Sequence, residues 1–448
     1  LISLFLPARQ VTIKGIGRLS FETSVTLSVG SEVAYASPAW LSGWAKRVKL
    51  TIDHNDIGAA LSDFPVLVYL STSSGRGPDN VSFVFTELQN DANRKKIAVT
   101  TSDEITECYV EIEKWDTTNQ KAWLWVKVPS ISDTADTDLY LYYDRNHADN
   151  TTYVGDPNST PAENVWNGNF KFVSHMQDDP DTSNIRDSTG NNNDGAKRAA
   201  NEPIVSDGKI DKAQGFDGTN DYIRRSSTSS LNLPTAFTIS GWLYFVTNPS
   251  FEYVVVRNTS TTGNTQYGAY IRTPQTGGNW GIVINGSITD IVYRIWAMNT
   301  WVNAVWTWDG SNIRCYYNGG LDGTPVAYPG PITDQGNWFN IGRRSNSVDG
   351  TLSTGLFGGR IDEVRVSNTA RSAAWIRASY ESERDHLLDF GSEETVVSIS
   401  QPLSLTATTS SQVSVGRPVT EGITISDGVT VAFGLSRDIS QPLSLTAT

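Results

Sequence analysis

Trp301-Val302-Asn303-Ala304-Val305-Trp306-Thr307-Trp308, followed across Asp309-Gly310 by Arg314-Cys315-Tyr316-Tyr317-Asn318-Gly319, reads as two strands and the turn between them. Aromatic and β-branched residues suit a pleated, half-buried surface, and Asp-Gly between two such runs is a hairpin signal. Working outward, Phe237-Thr238-Ile239-Ser240-Gly241-Trp242-Leu243 alternates in the same way upstream. Downstream, Gly359-Arg360-Ile361-Asp362-Glu363-Val364-Arg365-Val366 gives another strand, and Arg371–Glu383 is the one stretch with an amphipathic helical pattern. Before these lie a polar loop, Asp187-Ser188-Thr189-Gly190-Asn191-Asn192-Asn193-Asp194-Gly195, then Ala213-Gln214-Gly215-Phe216-Asp217-Gly218 and Asp221-Tyr222-Ile223.

In this order, over residues 166–392, these segments resemble the laminin-G-like, concanavalin-A-like jelly roll, including its short helix after the last strand. The resemblance implies a two-sheet antiparallel sandwich in which calcium and glycans are frequent ligands.

Residues 40–146 form a second β-rich block. Trp44 to Asp53 alternates, Phe64-Pro65-Val66-Leu67-Val68-Tyr69-Leu70 is more continuously apolar, and Tyr109–Trp115, Ala122–Pro129 and Leu139–Tyr143 follow. Strands separated by turn residues, with aromatic inner positions, predict an antiparallel sandwich. The succession WxxRxxLxID, DFPVLV, ExExW, AxLWVKVP and LYLYY resembles an uncharacterised Trp-rich β-sandwich family of archaeal and bacterial surface proteins. That resemblance implies a location and no activity. Residues 147–165, rich in Asn, Asp, Thr and Pro, read as a weakly ordered linker.

The ends are strand-like as well. Residues 1–39 alternate at Val11–Lys14 and Ser24–Val29. Residues 393–448 contain the decapeptide Ile399-Ser400-Gln401-Pro402-Leu403-Ser404-Leu405-Thr406-Ala407-Thr408, which recurs unchanged as Ile439–Thr448. A unit of this length is too short for an independent sandwich, so it is expected to pair with a neighbouring unit or another chain. The chain opens at Leu1, and its first apolar run, Leu1–Leu6, is too short for a signal-peptide core, so it is read as processed or partial.

Composition narrows the function classes. In 448 residues, 35 Lys and Arg face 48 Asp and Glu, a net charge of −13, which disfavours nucleic acid as a partner. With 14 Trp, 17 Tyr and 15 Phe the chain is too aromatic for disorder. No apolar run is long enough to span a bilayer. Cys108 and Cys315 belong to no metal-ligand or dyad pattern and read as buried free thiols.

Three kinds of site are weighed. Glu111, Glu113 and Asp116 have an E-x-E-x-x-D spacing. On a regular strand Glu111 and Glu113 share a face about 6.5–7 Å apart, near the separations glycosidases use. Their lying in the Trp-rich block favours a solvated strand face instead, and no catalytic residue is assigned. Asp362 and Glu363 are adjacent and are expected on opposite faces, with no acid partner nearby. Ca²⁺ wants about six to eight oxygens, and Asp178, Asp187, Asn191, Asn193 and Asp217 supply them, although Asx-turns explain the same residues without metal. Tyr267, Tyr270, Trp280, Trp296 and Trp338 are candidate sugar platforms. Each of the four His is expected at the surface or core edge.

The expectation is a multidomain, all-β, non-enzymatic extracellular protein of a cell or virion surface. It would polymerise through terminal β-strands, with Ile439, Leu443 and Leu445 as assembly residues. A calcium-assisted, carbohydrate-binding adhesin is the alternative, and a glycoside hydrolase is a third.

Overall fold

A computed structural model describes residues 2–5, 9–13, 17–27, 40–198, 202–226, 228–246, 251–258, 265–272, 277–334, 338–345, 353–396 and 408–413. Two compact units emerge, one of residues 1–38 with 397–448 and one of residues 39–396. Both copies of the decapeptide except Thr408, and with them Ile439, Leu443 and Leu445, lie outside the described residues.

The chain is all-β, built of several antiparallel sheets. In the smaller unit the strand Gly17–Leu27 pairs with Ile2–Phe5, Arg9–Ile13 and Thr408–Val413.

The larger unit holds two sandwiches. In the first, one sheet runs Val154–Gly155, Val110–Asp116, Lys121–Ile131, Leu61–Leu70, and the other Leu388–Thr395, Lys46–Ile52, Thr137–Tyr143, Ile97–Thr101. Leu124, Val126 and Val128 point inward to Val48, Leu50, Phe64, Val66 and Leu141. The alternate residue Trp125 points outward, and with Leu67 it meets Trp166, Phe170, Val173 and Ile210 in a second apolar cluster. This is why Leu61–Leu70 reads as continuously apolar: both of its faces are covered.

The second sandwich is inserted between Val154–Gly155 and Leu388–Thr395, so the first is closed only when the chain returns. Glu393, Glu394 and Thr395 pair with Val48, Arg47 and Lys46. The expected boundary at 392/393 therefore cuts a strand. Residues 147–165 are also no loose linker. Val154 and Gly155 pair with Val110 and Glu111, Thr160–Glu163 is a short helix, and Val165 is fully buried. The polar side chains there are consumed by turns and ion pairs, as in Asp156 with Arg94 and Lys95, so a hydrophilic composition still packs.

The jelly roll consists of two sheets. One has Gly358–Ser367 beside Phe237–Phe245, then Trp301–Trp308, Asn312–Tyr317 and Gly320–Ala327, with Phe170–Ser174 also pairing on Gly358–Ser367. The other includes Ile223–Ser226, Trp338–Ile341, Glu252–Asn258, Thr265–Ile271 and Gly278–Ile284. The Trp301–Trp308 hairpin forms as read, with Gly310 at φ +89° in its turn. Its Trp306 and Trp308 fill the core with Trp280, Trp296 and Phe237. The helix forms over Ala373–Glu383. Cys108 and Cys315 are buried and free.

Candidate functional site

Val110–Asp116 and Gly358–Ser367 each carry a β-bulge, and the two bulges build the junction between the sandwiches. In Val110–Asp116 the register shifts between Ile112 and Lys114. The extra residue breaks simple alternation, so Trp115 turns into the sandwich core with Val110 and Ile112. Glu111 and Glu113 face the jelly roll and are buried, at 0% and 6% exposure, which overturns the expected solvated strand face. In Gly358–Ser367 the shift falls opposite Ser240–Trp242, and Glu363 sits at φ +50°. Asp362 accepts the N–H groups of Lys209 and Ile210, anchoring a loop, while Glu363 reaches His175 and Arg365. The expectation that Asp362 and Glu363 lack acidic neighbours fails, because Glu113 and Glu383 arrive from other segments.

His175 is the centre of this group and is 7% exposed, contrary to the expected surface or core-edge placement. Its Nδ1 lies 2.8 Å from Glu363 Oε1 and 3.3 Å from Glu113 Oε2, and its Nε2 lies 3.5 Å from Glu111 Oε2. Trp125 Nε1 and Gln177 Nε2 donate to Glu113, Trp166 Nε1 to Glu111, and Arg365 to both Glu363 and Glu383. Trp125 stacks on the imidazole at 5.7 Å. Five buried carboxyls thus face two buried cations, His175 and Arg365.

The electrostatics follow from that imbalance. Burial raises the pKa of Glu113, and the charge of Glu363 adds to the effect. Burial also opposes ionisation of Glu363, but His175 and Arg365 outweigh it and hold this carboxyl below its ordinary value. Burial disfavours the His175 cation, yet Glu113, Glu363 and Glu111 together raise its pKa well above the usual imidazole range. A pocket of about 230 Å³, lined by Glu113, His175, Ser174, Gln177, Asp178 and Arg186 among others, opens beside the group.

A second feature lies at the same junction. Leu61–Asp63, Asn167–Asn169, Thr369–Ser372 and Trp375 line a polar cleft of about 470 Å³. Arg371, 9% exposed, packs its guanidinium 4.0 Å from the centre of the Trp375 ring and 4.4 Å from that of Phe170. Its Nη2 makes only long contacts, 3.4 Å each, to Asn167 Oδ1 and Ser367 Oγ, and its Nε has no partner. Burial alone lowers its pKa, and among the described residues no carboxylate lies within ion-pair distance. A guanidinium nonetheless keeps its charge at neutral pH.

The residues expected to bind calcium are spent on local structure. Asp187 is buried and its carboxylate accepts the N–H groups of Val173, Thr189 and Asn193 and the Thr189 hydroxyl. Burial pushes Asp187 up to about 7, against the pull of those four donors. Asn191 and Asn193 donate to Phe170 O and Lys171 O, Asp178 binds Lys197 and Gln214, and Asp217 caps Thr219 and Asn220. They brace the loop as Asx-turns do, and no three acidic or His ligands converge there among the described residues. The sugar platform also dissolves: all of Tyr267, Tyr270, Trp280 and Trp296 are at most 1% exposed, Tyr267, Trp280 and Trp296 within the core between the sheets and Tyr270 on the other face of its strand, packed with Tyr253, Val256, Val283 and Phe251. Trp338 is half-buried beneath Arg224.

Sequence reasoning singled out Glu111 and Glu113 but missed His175, Arg365, Glu383 and Arg371. The ExExW spacing was the available signal. Its acceptors needed donors, and the outward-facing Trp125 was one of them.

Residues 217–377 match the family described as the concanavalin A-like lectin/glucanases superfamily, and residues 93–186 match a domain of unknown function, DUF2341. No curated protein matches significantly. Among solved structures, the binding domain of Paraclostridial Mosquitocidal Protein 1 is 17% identical over 48% of this chain and 52% of that one, with a TM-score of 0.36. Domain 4 of AbnA, a GH43 extracellular arabinanase from Geobacillus stearothermophilus, in complex with arabinotriose, is 20% identical over 46% of this chain and 96% of that one, at 0.32. The botulinum neurotoxin serotype G binding domain is 14% identical over 47% and 50%, at 0.35. The chain spans about half the length of the two toxin binding domains.

Proposed function

Because the chain carries a concanavalin A-like domain behind a DUF2341 domain, we propose that it is a non-enzymatic, extracellular surface protein that binds an acidic glycan in the cleft between its sandwiches. The observation that carries this reading is Arg371, a buried cation with no carboxylate partner among the described residues, lining a cleft of about 470 Å³. A uronate carboxylate would repay the guanidinium's desolvation through charge-assisted hydrogen bonds. Asn167, Asn169, Ser372 and the exposed Asp63 offer partners for sugar hydroxyls, and the volume suits a di- to trisaccharide-sized ligand. No helix among the described residues is long and apolar enough to cross a membrane.

Titration calorimetry with uronate-containing and neutral oligosaccharides tests this. Uronates should bind and neutral sugars should not, and Arg371→Met should weaken binding by roughly tenfold or more, as loss of a charged hydrogen-bonded pair implies. Equal binding of both sugar classes, or an unaffected Arg371→Met variant, would remove the basis for the reading.

A second reading, a structural subunit joined through terminal strands, is favoured by one observation. Thr408–Val413 starts at the last residue of the first decapeptide copy and pairs antiparallel with Phe21–Thr26. The second copy, Ile439–Thr448, repeats the residues that precede that strand, and in this reading it completes an equivalent pairing in another chain. Electron microscopy should then show assemblies that disappear when Ile439–Thr448 is deleted; single particles in both samples would rule it out.

A further inference from the structure

From the geometry around His175 we infer a divalent transition-metal site, of zinc class, with Glu113, His175 and Glu363 as ligands. Their donor atoms all lie within 4.8 Å of one another and all three residues are buried. The imidazole is placed as a metal-binding histidine is placed. Nδ1 faces the two ligand carboxylates, while Nε2 faces Glu111 across 3.5 Å. A histidine that gives one nitrogen to a metal turns the other N–H to a carboxylate, which fixes its tautomer and orientation.

The distances match such an ion. Two ligands on a tetrahedral Zn²⁺ with bonds of about 2.0–2.1 Å stand about 3.3 Å apart, and Nδ1 to Glu113 Oε2 is 3.3 Å. The 2.8 Å approach to Glu363 would open by about half an ångström on loading. Each ligand carboxylate already has an outer partner holding it, Trp125 and Gln177 for Glu113 and Arg365 for Glu363.

Two unsatisfied atoms beside the three ligands also point to a missing cation. Glu111 is fully buried, and among the described residues neither its Oε1 nor His175 Nε2 has a hydrogen-bond partner. The fully protein-paired alternative, an imidazolium shared among glutamates, leaves both atoms unsatisfied and five buried carboxyls against two cations. A divalent ion would bring the charges nearer to balance and let Nε2 close on Glu111. One nitrogen and two carboxylates suit Zn²⁺ rather than Ca²⁺, which takes six to eight oxygens. The adjacent pocket of about 230 Å³ gives entry and room for a water as fourth ligand. Such an ion would join the two sandwiches, since Glu113 comes from the first, while in the second His175 directly follows the strand Phe170–Ser174 and Glu363 lies in Gly358–Ser367.

The full chain, prepared without a histidine tag and stripped with chelator, would be titrated with Zn²⁺ by calorimetry and with Co²⁺ by visible absorption. One equivalent should bind, with a Co²⁺ band that Zn²⁺ displaces. His175→Gln should abolish it, and Glu111→Gln, which keeps all three ligands, should weaken it roughly 10–100-fold. No uptake by the folded wild-type chain would overturn the assignment. So would uptake that survives His175→Gln and is lost in His54→Gln, because Asp53, His54 and Asp136 form the other His–carboxylate group among the described residues. If His175→Gln does not fold, the cobalt spectrum of His54→Gln decides: a stoichiometric ligand-field band that survives this substitution supports the site, and its loss, or its absence from the wild type, refutes it.

Discussion

At the residue scale, burial decides what each acid does. Glu252 is fully buried, with Oε1 accepting the Gly358 N–H and Oε2 unpartnered. Burial pushes its carboxyl from 4.5 up to about 8. Between those values the folded chain holds a proton that the unfolded chain has released. The stabilisation linked to that proton is complete below about pH 4.5 and is lost as pH rises through about 8, by about 1.4 kcal/mol per pH unit. Glu252→Gln should remove this slope, so urea midpoints of variant and wild type should diverge between mildly acid and alkaline pH, with the variant more stable at the alkaline end. Parallel pH profiles for the two proteins would contradict the assignment.

At the element scale, the helix Ala373–Glu383 binds the two sandwiches. Ser372 caps its start by accepting the Trp375 N–H. Ile376 packs on Val305 and Tyr316 of the jelly roll, while Ala378 enters the core of the first sandwich. Leu61–Leu70 is an edge strand of its sheet, and Ser382 Oγ accepts the Leu67 N–H there at 2.8 Å. The helix therefore satisfies an edge that would otherwise face another chain. Ser382→Ala leaves that N–H buried and unpaired and should cost about 1–3 kcal/mol in urea unfolding. A change within experimental error would mean that water replaces the hydroxyl. The strands and this helix were legible because alternation and amphipathic spacing are local properties. The bulges at Glu113 and Glu363 were not, because a bulge exists only relative to a partner strand.

At the scale of the whole molecule, the first sandwich is completed by Leu388–Thr395, which arrives after the jelly roll has been threaded. The apolar junction of Leu67, Trp125, Trp166, Phe170 and Val173 and the ionic group around His175 then couple the two sandwiches. Calorimetry of residues 39–396 should show one cooperative transition, and removing Leu388–Val396 should lower it as a whole. A jelly-roll transition left at its original temperature after that deletion would show that the sandwiches unfold independently.

The sequence by itself determined the all-β class, because hydrophobic alternation and turn residues act over a few positions, while the jelly roll and the Trp-rich family were legible through the resemblance of their ordered segments to known families. It also marked Glu111 and Glu113 as worth attention through their spacing. Only the tertiary structure decided that these acids are buried, that His175, Glu363 and Arg365 meet them, that Arg371 has no carboxylate partner among the described residues, and that four of the five candidate sugar-binding aromatics are buried. Each of those facts depends on which surface covers which, and within the ionic group the partners come from distant segments, Trp166 55 residues from Glu111 and Glu363 188 residues from His175.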